Sequence, residues 1–177
     1  ASARAIMSAG DWDAIAIGGL SVGEPKPAML ATLEVCEAEI PRDRPRYLMG
    51  VGHPDDLIEA VARGVDLFDC VAPTRMGRHG TAFTPDGSLQ MRKATNRTDR
   101  RPIVEGCRCP ACMRYDRAYI RHLFMAEEML GLRLVSLHNV AFLIDLMAEA
   151  RTALREDRFA SWSAAWMRPT AVRRSSS

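Results

Sequence analysis

The sequence predicts an α/β protein, a parallel sheet or barrel joined to a metal-stapled lobe. Three observations carry that reading. Short apolar runs recur at Ala14–Ile17, Tyr47–Val51 and Val65–Val71 with helical patterns between them, the rhythm of parallel strands joined by helical crossovers. Three cysteines within six positions, Cys107, Cys109 and Cys112, are followed after 25 residues by His138. The third apolar run carries a carboxylate, Asp69, just ahead of Pro73-Thr74-Arg75.

The elements follow in order. Ala14 to Ile17, closed by Gly18-Gly19, predicts a buried parallel strand. Gly18 to Glu24 is not a G-x-G-x-x-G fingerprint and no helix starts promptly behind it, which argues against a dinucleotide site. Its glycines form either a tight turn or a place where backbone amides approach a flat ligand closely. Ser21 to Pro27 reads as a loop, and Met29 to Ile40 as a helix broken by Pro41 and Pro45. After the second strand, Pro54 suits a first helical position, Asp55 and Asp56 the first turn, and Gly64 the stop, with Leu57, Ile58 and Val61 facing inward.

Alternation along the third strand puts Val65, Leu67, Asp69 and Val71 on one face. A carboxylate among core aliphatics is costly unless it is hydrogen-bonded or functional. At the C-terminal end of a barrel strand, function is the favoured explanation. Asp66 faces the other way and is expected to be structural. Thr74 to Arg78 is expected as a basic loop able to grip a phosphate or base, with a solvated loop as the plain alternative. Gly77, Gly80 and Pro85-Asp86-Gly87 mark turns, and Ala82-Phe83 with Leu89-Gln90-Met91 a hairpin. One helix is expected from Tyr115 to Leu130, a strand before His138, and a second helix from Asn139 to Leu154. Val140, Phe142, Leu143, Leu146 and Met147 would form the buried face of that second helix, and the tail Arg173 to Ser177 would fray. Three segments result: 1–75 for the sheet, 76–138 for the basic hairpin and metal lobe, 139–177 for a closing helix and tail.

At 177 residues, 47% apolar and 26% charged, the composition is that of an ordinary globular protein. No uninterrupted apolar run has the length to cross a bilayer and no signal peptide is evident, so no membrane partner is expected. The chain opens on Ala1 without an initiator Met, as a processed chain or a fragment would. The net charge of +2 hides an asymmetry: residues 75–121 hold eleven Lys/Arg against four Asp/Glu, a net +7 that leaves −5 elsewhere. Such a block reads as a polyanion-facing surface.

Three thiolates and one imidazole are the donors of a closed, tetrahedral structural zinc site, and a reducing cytoplasm is the natural compartment for the five cysteines. Cys36 and Cys70 read as small buried hydrophobes. His53, His79 and His122 have no partner spacing and are expected at the surface or in loops.

These residues also carry a resemblance. Ile15 to Glu24, Tyr47 to Gly52, Phe68 to Arg75, the four metal ligands and Ser136-Leu137-His138-Asn139 occur in the order in which they occur in bacterial tRNA-guanine transglycosylases (queuine tRNA-ribosyltransferases). The chain resembles the C-terminal half of that family essentially end to end. The resemblance implies the C-terminal part of a TIM-type (β/α)8 barrel, with one structural Zn2+ in a subdomain inserted near the last strand. It implies exchange of guanine at the wobble position of GUN-anticodon tRNAs for preQ1 in queuosine biosynthesis. Asp69 would attack the ribose C1′ and hold a covalent tRNA intermediate, in a double displacement on a base taken out of its stack. Gly18, Gly19, Leu20, Tyr47 and Met49 would line the base pocket. Gly50, Val51, Gly52, His53, Pro54, Asp55, Asp56, Thr74, Arg75, Met76, Gly77 and Arg78 would contact tRNA. Val22 matches the bacterial, preQ1-using form. A homodimer is implied, and no organic cofactor. The family's second aspartate, the general acid/base, would lie upstream of Ala1, so residues 1–177 alone are expected to be inactive. A non-catalytic tRNA-binding partner subunit, an archaeal-type relative acting elsewhere on tRNA, and a plain zinc-ribbon module are the competing readings.

Overall fold

The computed structural model describes the backbone of residues 2–174 and the side chains of residues 3–168. The chain divides into two compact units, Ala1–Val71 and Ala72–Ser177. Segments 76–138 and 139–177, expected as separate, therefore fall within one unit, and the boundary lies at Val71 rather than at Arg75.

The first unit runs α1 (Ser2–Ala9), β1 (Ile15–Ile17), α2 (Lys26–Glu39), β2 (Arg46–Met49), α3 (Pro54–Val61) and β3 (Leu67–Asp69). Its three strands pair in parallel in the order β1-β2-β3, so each crossover is helical, as the sequence rhythm implies. Ile15, Ile17 and Leu48 turn one face of the sheet onto Met29 and Leu33 of α2, with Val51, Ala60 and Val65 completing the core. Helix α2 begins earlier than the expected Met29. Pro25 is its N-cap and Pro27 sits in its first turn, where a missing N–H costs nothing. Helix α3 starts at Pro54 with Asp55 and Asp56 in its first turn, and Gly64 follows it at φ +78°, a left-handed stop suited to glycine.

The expected facing of the third strand needs correction. The strand is only Leu67–Asp69, and the Val65 N–H still bonds to the Ala60 carbonyl at the end of α3. Val65 is therefore buried from a turn, and the period of two begins after it. Leu67, Asp69 and Val71 are exposed, while Phe68 packs toward the core. Met49 lies opposite Asp69 in the register and is exposed as well. Asp69 thus stands on the open face of the sheet, not among core aliphatics. Asp66 is structural as expected: its Oδ2 accepts the Arg46 N–H at 2.8 Å.

The second unit runs α4 (Ala72–Arg78), β4 (Thr81–Thr84), β5 (Gly87–Gln90), α5 (Pro110–Arg114), α6 (Arg117–Met125), α7 (Met129–Arg155) and α8 (Phe159–Arg174). The hairpin β4–β5 is antiparallel, with Thr84 opposite Gly87. Thr74 to Arg78 is helix rather than loop, because Pro73 sits in the first turn, where its fixed φ favours helix. Gly77 is buried inside that helix and marks no turn. A Cβ there would lie 2.6 Å from the Ser136 backbone, so the glycine is where α4 crosses α7 at backbone distance.

The expected helix from Tyr115 to Leu130 is interrupted. Helix α6 ends at Met125 and Glu127 adopts φ +58° before α7 starts. Helix α7 then runs through the expected strand and through His138 without a break. Residues 129–137 contain one β-branched residue, Val135, among Leu, Met and Arg, so local propensity favours helix. Its buried stripe is Gly131, Leu134, Val135, His138, Asn139, Leu146, Ala150 and Ala153. Val140 lies off that stripe and is exposed, while Phe142, Leu143 and Met147 are half-buried. By length and hydropathy α7 would pass for a membrane span, contrary to the reading of uninterrupted runs. Its His138 and Asn139 are nonetheless fully buried and hydrogen-bonded within the unit, as in a core helix. Helices α1 and α8 were not expected. The predicted fraying falls partly on α8 and partly on residues 175–177, which lie outside the described residues.

Candidate metal centre and strand-end site

Helix α7 brings His138 beneath the short helix α5 that carries Cys112. Ligand atoms of Cys107, Cys109, Cys112 and His138 all lie within 4.8 Å of one another. His138 Nδ1 is 3.8, 3.5 and 3.4 Å from the sulfurs of Cys107, Cys109 and Cys112. Two bonds of about 2.0–2.3 Å meeting at the tetrahedral angle separate their donors by roughly 3.6 Å, so this spacing fits one four-coordinate ion.

The tautomer follows from the other ring nitrogen. His138 Nε2 lies 2.8 Å from the Phe83 carbonyl, an acceptor only, so Nε2 carries the proton and Nδ1 faces the sulfurs with a lone pair. Burial lowers the His138 pKa and keeps the ring neutral, the form that binds metal. Burial raises the Cys107 and Cys112 thiols, so a cation at the centre is what would favour their ionisation. Cys109 also caps α5, its sulfur accepting the Cys112 N–H at 3.4 Å, with Pro110 as the first helical residue.

The loop that delivers the cysteines is braced at Asp99. Its carboxylate accepts from the Arg101 N–H and guanidinium and from Arg117 Nη1 at 3.0 Å. Arg117 in turn donates to the Pro102 and Ile103 carbonyls. Bonds from Arg101 hold the Asp99 carboxyl well below the usual carboxylate range. Part of the basic block thus serves structure: Arg100, Arg101 and Arg117 pair with Asp116 and Asp99. Among the described residues Arg75, Arg78, Arg97, Arg108 and Arg114 form no ion pair and are exposed.

The second cluster lies at the C-terminal ends of the parallel strands. Asp69 Oδ1 accepts the Tyr47 hydroxyl at 2.7 Å and the Gly50 N–H at 3.1 Å. Gly50 adopts φ +78°, a left-handed turn that aims its amide at the carboxylate. Those two bonds, the tyrosine's first, lower the Asp69 pKa, and the same bond raises that of Tyr47. Gly18, at the end of β1, faces Met49: a Cβ on it would stand 3.6 Å from the Met49 sulfur. Behind it, Glu24 closes the loop by accepting the Ser21 and Val22 amides, leaving Val22 80% exposed. Leu20 packs its side chain into the core, so only its backbone faces the strand ends.

The residues expected to meet RNA separate into two kinds. Asp55, Asp56 and Glu59 surround Lys26 Nζ at 3.0, 2.6 and 2.9 Å. Burial works against the Lys26 charge, yet the three carboxylates hold its pKa above the ordinary value. Asp55 is buried, so its side chain is a brace between α2 and α3 and offers no outward contact. Val51 and Gly52 are buried and His53 is the exposed N-cap of α3. On α4, Arg75 and Arg78 are exposed, Thr74 and Met76 half-buried, and Gly77 buried.

Cys36 is half-buried on the first core, and the half-buried Cys70 lies 3.4 Å from the Gly50 carbonyl. His53, His79 and His122 are all exposed, though His122 lies on α6 rather than in a loop. Sequence reasoning missed Ser136, Asn139 and Asp99. Asn139 had a signal, a second polar residue beside His138 on an otherwise apolar helix face.

The family model described as queuine tRNA-ribosyltransferase matches residues 1–171. A queuine tRNA-ribosyltransferase of Symbiobacterium thermophilum is 57% identical over 157 residues, covering 89% of this chain and 39% of that protein. One of Herpetosiphon aurantiacus is 53% identical over 171 residues, covering 94% of this chain and 44% of its own. One of Staphylococcus aureus is 55% identical over 148 residues, 84% of this chain and 39% of that protein. The chain thus spans less than half the length of these relatives. With a family match from residue 1 to residue 171, the chain belongs to the queuine tRNA-ribosyltransferase family.

Proposed function

We propose that this chain supplies the nucleophile-bearing strands and a zinc lobe of a tRNA-guanine transglycosylase acting at the wobble guanine of GUN-anticodon tRNAs. The observation that carries the reading is Asp69, an ionised carboxylate held by the Tyr47 hydroxyl and the Gly50 amide on the open face of parallel strands. A carboxylate so held at an exposed strand end stays anionic, which is what attack on a ribose C1′ requires. The Asp69 oxygen would bond to C1′ as the C1′–N9 bond breaks. Guanine leaves with the electron pair and takes up a proton. The incoming base, preQ1, then attacks C1′ through N9 and loses its N9 proton as the aspartyl ester breaks. Two inversions retain configuration. Gly18, Gly19 and the Leu20 backbone beside Met49 would form one wall for the flat base, while Arg75 and Arg78 would meet tRNA phosphates.

The Cys3His donors fit Zn2+ by chemistry and spacing. Four protein ligands leave no open position, so the ion would hold the fold of the lobe and take no part in the exchange. The β1–β3 crossovers suit a segment of a TIM-type barrel. We place the protein in a reducing cytoplasm, as a homodimer in its catalytic form.

The test is incorporation of labelled guanine into GUN-anticodon tRNA. The protein would be this chain extended to the length of its relatives with the remaining sequence of the Symbiobacterium thermophilum protein, with Asp69 or Asp69→Ala. Incorporation lost with Asp69, together with a covalent tRNA adduct seen only with Asp69, is the expected result. Binding of tRNA without any exchange by the intact extended chain would leave a non-catalytic partner subunit instead. Residues 1–177 by themselves are expected not to turn over.

A further inference from the structure

Two adjacent residues of α7 hold the two backbone polar groups of one residue, Phe83. His138 Nε2–H donates to the Phe83 carbonyl at 2.8 Å. Asn139 Oδ1 accepts the Phe83 N–H, also at 2.8 Å. The Asn139 amide then donates twice more, to the Thr81 and Pro73 carbonyls, each at 2.9 Å. Only one orientation of the amide makes all three bonds, since the oxygen must meet the N–H and the nitrogen the two carbonyls. Asn139 is fully buried, so each of those groups would otherwise be stranded away from water. Pro73 lies in the first turn of α4. One turn further along, Gly77 leaves no room for a Cβ against Ser136, and the Ser136 hydroxyl donates to the Thr74 carbonyl at 3.3 Å.

We propose that Asn139 is a positioning residue that makes the placement of α4 depend on the metal centre. A metal on His138 Nδ1 fixes the rotation of that ring and the register of α7 at this point. The Phe83 backbone is held at both its polar groups in consequence, and Asn139, the next residue of the same helix, passes that register to Pro73. Helix α4 has only seven residues, too short to hold itself without such supports. It also carries Arg75 and Arg78. A structural ion would then serve substrate recognition through the helix it braces. This last step rests on the reading that α4 meets tRNA; the coupling between metal and helix does not.

The experiment is amide hydrogen exchange of residues 76–80 in this chain, metal-loaded and after chelation. In the unmodified chain, removal of the metal is expected to accelerate these amides about tenfold or more as the lobe that the ion holds opens. In Asn139→Ala, metal content is expected to stay at one ion per chain while the same amides exchange fast in both states, so the metal dependence disappears. Insensitivity of residues 76–80 to metal in the unmodified chain overturns the proposal. So does Asn139→Ala that retains its metal and keeps the metal dependence. A merely structural role for Asn139 would loosen the loaded and stripped forms alike and preserve their difference. If Asn139→Ala fails to fold, Asn139→Ser, which withdraws the amide while keeping the position polar, is compared in the same two states. Binding of tRNA against salt gives a separate reading: loss of contacts by Arg75 and Arg78 should flatten the log–log slope by about 1.5. Failure of the loaded, extended chain to bind tRNA would sink the functional reading and leave the exchange result standing.

Discussion

At the scale of single residues, Asp69 is held by partners that lie far from it in the chain. A carboxylate near the end of an apolar strand stands out because its burial without partners is costly. Alternation counted from Val65 misplaces its face, because Val65 is turned inward by a bond to Ala60 at the end of a helix. The partner that tunes it, Tyr47, lies 22 positions away, beyond any local pattern. The Tyr47 hydroxyl donates to the ionised form of Asp69, favouring it, with the Gly50 amide adding to the effect. Tyr47→Phe should therefore move the Asp69 titration upward, toward the ordinary carboxylate value, as read by carboxyl carbon NMR. The sign for stability follows. A depressed folded-state pKa contributes stability above the unfolded value, and that contribution is lost as pH falls through the folded value. The variant should lose less on acidification than the unmodified chain. In an extended, active chain, the acidic limb of guanine exchange should move to higher pH. An Asp69 titration unchanged by Tyr47→Phe would remove the tyrosine from this role.

At the scale of elements, the helix start at Pro54 and the stop at Gly64 were readable because proline and glycine act through the local backbone. Helix α4 is not legible in this way, because a glycine at position 77 reads locally as a turn. Its role depends on Ser136, 59 positions on, and only packing of one helix on another reveals it. A Cβ at Gly77 would stand 2.6 Å from backbone atoms of Ser136, closer than any side-chain rotation can relieve. Gly77→Ala would gain helix propensity, worth up to about 1 kcal/mol. The forced separation of α4 from α7 would cost more, about 1–3 kcal/mol as for other overpacked sites. The net outcome is a loss of up to roughly 2 kcal/mol in denaturant melting, the difference between those two effects. It should come with faster exchange at residues 76–80. Ser136 is met through its backbone, so Ser136→Ala should not rescue the variant. A Gly77→Ala chain as stable as the unmodified one would mean that α4 and α7 do not meet at backbone distance.

At the scale of the whole molecule, the two units differ in what holds them. The first relies on Ile15, Ile17, Met29, Leu33 and Leu48, fully apolar and closed by helical crossovers. The second buries Cys109, Cys112, His138 and Asn139 beside Met91, Ile103, Phe124 and Val135. Its long loop from Arg97 to Cys109 contains neither helix nor strand. The cysteine spacing was legible because three ligands lie close in sequence, whereas the tautomer of His138 and the Asp99 brace arise only once distant segments meet. Structural zinc in such donor sets contributes about 10–16 kcal/mol of apparent binding energy, comparable to the whole stability of a domain, about 5–15 kcal/mol. Cys112→Ala should reduce metal content from one ion per chain to near zero. Residues 97–155 should then lose exchange protection together and cooperative melting of that unit should disappear. Amides of α2 and α3, whose core contains no ligand, should keep theirs. Protection retained in residues 97–155 without metal would show that the apolar cluster suffices, and loss spread equally over α2 and α3 would show that the first core depends on the ion.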